Sequence, residues 1–185
     1  MDNQVKHPRR DAQANRERIL DVARSQFEAH GLAASMDKIA KEAGVGPGTL
    51  YRHFPNREAL FGAILEGCAP NVATEGNALA QSADAAAALT QWLLIIAQWS
   101  TSFEGATTPM LEAITTNTGP LAATCSDLLT TLEVLLHNAQ QAGVARPEVS
   151  ARDLYAATLG LAWAADADSP IETLIDLLST GWRQS

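Results

Sequence analysis

The chain has 185 residues, 46% of them hydrophobic, with a mean hydropathy of −0.05 and a formal net charge of −8. That is enough chain to bury a core of its own, and no apolar run approaches the ~18 residues of a membrane-spanning helix. Taken whole, the negative charge argues against nucleic acid, but it is unevenly spread. Residues 1–57 hold ten Lys/Arg against seven Asp/Glu, a net +3, while residues 58–185 hold three against fourteen, a net −11. A basic head on an acidic body fits a protein that offers one end to phosphate and repels it with the other.

In chain order, residues 1–11 are polar, carry a proline and show no periodicity, so a disordered basic arm is expected, with Lys6, Arg9 and Arg10 free to follow a nucleic-acid backbone. This polar start is not expected to be a secretory leader. Ile19, Leu20, Ala23 and Phe27 form the apolar stripe of a helix over 12–30, closed at Gly31. Residues 35–57 read as helix, tight turn, helix, stop. Ser35 is placed to cap the first of these helices, with Asp37 in its first turn and Ile39, Ala40 and Ala43 on one face. Gly44 ends it, Val45 fills the corner, and Pro47 suits the first position of the next helix. Leu50 and Phe54 anchor that second helix, Pro55 stops it, and Asn56 caps a further helix beginning at Arg57. Two short helices joined at a glycine make a helix-turn-helix.

Residues Ile39 to Phe54 follow the pattern I-A-x-x-A-G-V-x-x-G-T-L-Y-x-H-F without a gap. The stretch resembles the DNA-binding signature of the tetracycline-repressor (TetR) family of bacterial transcriptional regulators. Arg16-x-x-Ile19-Leu20-x-x-Ala23-x-x-x-Phe27-x-x-x-Gly31 is similar to that family's first helix, and Arg57-Glu58-x-Leu60 to its fourth. The chain departs from the pattern at Gly46, where the family often has a small polar residue, and at Arg57, where it often has lysine. Many alanines and leucines and little Val/Ile/Thr alternation argue for an all-α chain, read here as about nine helices, as the resemblance also implies. A three-helix DNA-binding domain would span 12–57, its motif 35–54 lying in a unit within 13–72, and a helical ligand-binding and dimerisation domain would span 58–185.

Helix geometry names the candidates for contact with duplex DNA. The second helix of such a motif enters the major groove while the first crosses the backbone. On this reading Ser35, Lys38, Gly46, Pro47, Gly48, Thr49, Tyr51, Arg52, His53 and Arg57 form the DNA-facing set. Arg52 is suited to reading guanine through a two-pronged guanidinium contact. Tyr51 and His53 can bond phosphate oxygens, as the resemblance also implies. Ser35 and Arg57 stand at helix N-termini, where exposed N–H groups favour phosphate.

Downstream, a fourth helix is expected over 56–80 with a break or kink at Pro70. Helices follow over 83–104, 107–117 and 120–142, then a linker at 144–149 and closing helices over 150–166 and 169–182. Small residues on the first closing helix, and the stripe of Ile171, Leu174, Ile175, Leu178 and Trp182 on the second, suggest a four-helix interface between two copies of the chain. Leu154, Ala157 and Leu161 complete that candidate set, and the resemblance implies the same dimer. Trp92, Trp99, Phe103, Met110, Leu111, Ile114, Tyr155 and Trp163 supply the aromatic and soft side chains of a candidate effector pocket, with a filled core as the alternative. Arg146-Pro147-Glu148-Val149-Ser150 and Leu177-Leu178-x-x-Gly181-Trp182 resemble one C-terminal subgroup of the family.

No glycine-rich phosphate loop, HExxH or GxSxG is present, so no enzyme and no cofactor are expected. Cys68 and Cys125 lack metal-ligand spacing and read as buried, reduced thiols of a cytoplasmic protein. The expected partners are an operator in double-stranded DNA, a small-molecule effector and a second copy of the chain, without a membrane. The expected function is a homodimeric repressor, released from a palindromic operator when the effector binds.

Overall fold

A computed structural model describes residues 8–116, 118–165 and 168–184, without the side chains of residues 8–10 and 68–71. Lys6 and the side chains of Arg9, Arg10 and Cys68 therefore lie outside it. Within the described residues the chain is all helical, with nine α-helices and one short 3-10 turn.

The first three helices build the head. Helix α1 (Pro8–His30) lays Ile19, Ala23 and Phe27 into the core, all fully buried. The chain reverses through Gly31–Ala33, with Gly31 at φ 60°, in the left-handed region. Helix α2 (Met36–Glu42) is capped by Ser35, whose hydroxyl accepts from the Lys38 N–H. Gly44, at φ 66°, turns the chain into α3 (Pro47–His53), which starts on its proline and is held by the buried Leu50 and Phe54. Asn56 caps α4 (Arg57–Ala80) by accepting from the Ala59 N–H at 2.7 Å.

Two expectations are corrected here. The arm does not extend to residue 11, because α1 already begins at Pro8: proline is pre-set for a first helical position, and the polar residues after it are sound helix formers. Helix α4 also runs through Pro70, so of the expected break or kink the break is absent.

The body is made of α4, α5 (Ala85–Thr101), α6 (Thr107–Thr116), α7 (Ala122–Gln141), α8 (Ala151–Ala164) and α9 (Ile171–Trp182). Helix α5 is the central post, touching α4, α7, α8 and α9. Leu89, Trp92, Leu93 and Ile96 on it are fully buried. Helix α4 lies across α7 and α5 with little clearance at Gly76, where an added Cβ would stand 2.7 Å from Thr131 Cγ2 and 3.2 Å from the Trp92 ring. The C-terminus is pinned by main-chain bonds from Arg146 N to Trp182 O (2.9 Å) and from Gln184 N to Val144 O (3.0 Å), which hold α9 beside the α7–α8 linker.

Head and body meet at a dense joint. Phe61 of α4 makes edge-to-face contacts with Phe27 of α1 (6.1 Å) and with Phe103, just after α5 (5.4 Å). Beside them the Leu32 N–H donates to Glu104 O at 2.8 Å. A Cβ at Gly31 would stand 2.6 Å from that same carbonyl oxygen, so the approach requires glycine.

Candidate nucleic-acid interface and effector cavity

Helix α3 presents a continuous outer row. Gly46, Pro47, Gly48, Tyr51 and Arg52 are exposed, while Thr49 and His53 are half-buried. Tyr51 keeps 46% of its surface in solvent. Gly46 has φ −71°, which any residue adopts, and an added Cβ at Gly46 or Gly48 would meet nothing within 4 Å. Neither backbone strain nor the chain's own packing explains these two glycines. Gly46 is the N-cap of α3, a place that suits glycine, and beside both positions the surface is left open.

Arg52 is already set in place. Its Nε donates to Gly48 O at 3.0 Å and its Nη2 to Thr49 Oγ1 at 3.2 Å, so the guanidinium lies along the start of α3. Lys38 stands at the edge of α2, 3.4 Å from His30 Nε2 and 3.9 Å from the Glu42 carboxylate. Both groups are exposed, so the ion pair is weak and the ammonium can be recruited elsewhere. Arg57 is half-buried, and one of its N–H groups donates to Ala34 O at 3.1 Å. It fastens the start of α4 to the turn before α2. Arg16 lies over the Phe54 ring at 5.3 Å and braces α1 against the end of α3.

The eight expected pocket residues do not surround one space. Trp92 and Trp99 of α5 do line a common cavity of about 70 Å³ between α4, α5 and α7. Met110 and Tyr155 are fully buried core, Ile114 is nearly so, and Phe103 belongs to the head–body joint. Leu111 and Trp163 face outward, at 40% and 76% exposure, because they lie on the outer sides of α6 and α8. The remaining polar wall comes from Thr124, Asp127 and Thr131 of α7, which the sequence reading passed over. Their spacing of three and four residues marks one helical face, a polar stripe among leucines, and was the available signal.

The interface candidates also divide. Leu154, Ile175 and Trp182 point into their own chain's core, with exposures of 4%, 0% and 1%, and are not available to a partner. Ala157, Leu161, Ile171, Leu174 and Leu178 are half-buried at the edge. The outward face instead carries Gly160, Trp163, Ala164, Leu177 and Gly181, with Leu177 at 65% exposure.

Cys125 and Tyr155 form a buried pair between α7 and α8. Burial pushes the Cys125 thiol up to about 11, opposed by its contact with the Tyr155 hydroxyl. Burial first, and the neighbouring sulfur second, push the tyrosine well above its ordinary range. Both groups are therefore neutral at pH 7.

A basic head with a helix-turn-helix and an exposed second helix, on a helical body, defines a two-domain DNA-binding regulator. Comparison with known proteins makes this specific. Residues 19–64 match the tetR family of bacterial regulatory proteins, and residues 84–184 match the C-terminal domain of SbtR-like transcriptional regulators. An HTH-type transcriptional regulator of Staphylococcus aureus (strain USA300) is 49% identical over 53 residues, 28% of this chain and 29% of that protein. The chain thus spans about 29% of the length of that curated relative. The crystal structure of the TetR transcriptional regulator SCO0520 from Streptomyces coelicolor is similar over 92% of this chain and 99% of that one, with 32% identity and a TM-score of 0.59. SmeT, the repressor of the Stenotrophomonas maltophilia multidrug efflux pump SmeDEF, shares the fold at 22% identity and a TM-score of 0.60, over 95% of this chain and 93% of its own.

The chain belongs to the TetR family. Regulators of this family are non-enzymatic DNA-binding transcription factors. Among the described residues, no helix is long and apolar enough to cross a membrane.

Proposed function

We propose that this regulator is a cytoplasmic homodimeric repressor that binds a palindromic operator and leaves it when a small molecule enters the body. Residues 12–57 form the reading head and 58–185 the regulatory body. The observation that carries this reading is the outer row of α3: largely exposed, open beside Gly46 and Gly48, and mounted on the first 57 residues, net +3, of a chain whose remainder carries −11.

In the proposed complex α3 lies in the major groove. Arg52, pre-set by its bonds to Gly48 and Thr49, reads a base edge. Tyr51, His53 and Lys38 hold phosphates, together with the helix start at Ser35. Arg57 acts mainly as a brace, since one of its N–H groups is already given to Ala34 O. Two heads reach half-sites about one helical turn apart when two bodies join. The outward face of α8 and α9, with Trp163 and Leu177, supports such a pairing. Repression and release by a ligand agree with the shared fold of SmeT, a repressor, and with the cavity under α4.

The test is binding of the full chain to the DNA upstream of its own gene, across a salt series. Log affinity should fall linearly with log salt. Arg52→Ala should lose about 1–3 kcal/mol on the operator and much less on unrelated DNA. A salt-independent signal, or a chain that sediments as a monomer on its operator, would overturn the reading.

A further inference from the structure

The cavity between α4, α5 and α7 has a composition that selects its occupant. We infer that the effector is a small organic cation, an ammonium group with apolar substituents. Trp92 and Trp99 would form its aromatic wall and Asp127 its counter-charge. The inference rests on the reading that a small molecule acts through the body, and it names the class of that molecule.

Trp92 is fully buried and its indole N–H is already given to Leu128 O at 3.3 Å, so what it offers the cavity is ring surface. Trp99 stands two turns further along α5, on the same side. Ring faces attract cations, most strongly those of tryptophan. Asp127 is the one charged side chain on the described wall; it is solvent-exposed, so it stands at the mouth of the cavity, and it has no ion-pair partner among the described residues. Thr124 and Thr131 flank it at helical spacing, Thr131 with its hydroxyl given to Asp127 O at 3.2 Å.

Other classes fit worse. An anion would meet Asp127 and a body of net charge −11. The body's three arginines are engaged elsewhere: Arg146 with Glu148, Arg152 on Ile114 O, and Arg183 over the Trp182 ring. A neutral apolar molecule would suit the tryptophans but would leave the Asp127 carboxylate at the mouth without a role. A volume of about 70 Å³ suits a compact headgroup rather than a long chain. The acidic body also draws cations toward the mouth before they bind.

The same wall supports α4. Gly76 packs directly on Thr131 and Trp92, so an occupant that spreads the cavity must press on α4 at this point, and α4 begins at the reading head. The occupant is thereby placed to bias the head's position through its differential affinity for the two arrangements.

The test uses the full chain, isothermal titration and two compact probes of nearly one shape: the tetramethylammonium cation and neutral tert-butanol. The cation should bind at least about tenfold more tightly than its neutral isostere. Asp127→Asn should abolish that preference by weakening the cation alone, and the variant should keep the parent's unfolding temperature. Equal binding of the two probes, an equal effect of Asp127→Asn on both, or no binding of either would overturn the assignment. Operator release separates this assignment from the broader reading. If an anionic or neutral compound releases the operator, the cation class falls and release by a ligand stands. If the cation binds with its charge preference but the operator is retained, the site stands and release falls.

Discussion

The head and the body of this chain solve their folding problems by different means. In the head each turning point is decided within a few residues: Ser35 caps α2, Gly44 ends the turn, Pro47 starts α3 and Asn56 caps α4. In the body the decisive contacts join residues far apart in sequence, as at the cavity, where α4, α5 and α7 bring Val72 together with Thr131. A region that must meet a rigid partner, the DNA groove, benefits from geometry fixed locally. On the proposed function, a region that admits a guest benefits from long helices whose mutual packing can shift.

The strongest way to break this contrast lies at the joint. Gly31 and Gly44 are both left-handed, at φ 60° and 66°, but only Gly31 has a neighbour against it, Glu104 of the body. Gly31→Ala should cost about 3 kcal/mol, combining backbone strain with overpacking, and should weaken operator binding as the head shifts. Gly44→Ala, with open space beside it, should cost only about 1 kcal/mol. Equal losses in thermal unfolding would show that the joint is loose.

A smaller effect sharpens the body's side. The unfolded Cys125 thiol ionises from its ordinary 9.0, while the folded one holds its proton to about 11. Unfolding therefore releases a proton in that window. The stability present below pH 9 should fall as pH rises toward 11, by about 2 kcal/mol. Tyr155, also raised, adds to the fall above pH 10. Denaturant titrations across this range should show the loss, and Cys125→Ala should make it shallower. The smallest effect belongs to the head: Ser35→Ala removes the bond to the Lys38 N–H and should cost about 1 kcal/mol in the same titration.

This division also explains what could be read in the sequence. The helix-turn-helix was legible almost to the residue, because caps, glycines and proline have local meanings. The α3 span expected from those signs agrees with Pro47–His53. The body's helices were legible as elements but not as faces. The apolar stripe of α9 is real, yet a helix wedged between its own core and the surface does not announce which apolar residues turn which way. Ile175 and Trp182 went inward while Leu177 went outward. Trp163 and Trp92 likewise look alike in sequence and end at opposite extremes of exposure. Asp127 was hidden for a related reason: its meaning comes from Trp92 and Trp99, more than twenty residues away, and no pattern within α7 alone ties it to them.

The distribution of indole rings has a practical consequence. All four tryptophans of the chain, at 92, 99, 163 and 182, lie in the body and none in the head. Ultraviolet-excited emission from the native protein is therefore a built-in lamp for the regulatory half alone. At protein concentrations where pairing of the bodies is already complete, a change in it when operator DNA is added has crossed the joint at Gly31 and Phe61, so a single spectrum reads communication between head and body without an attached dye.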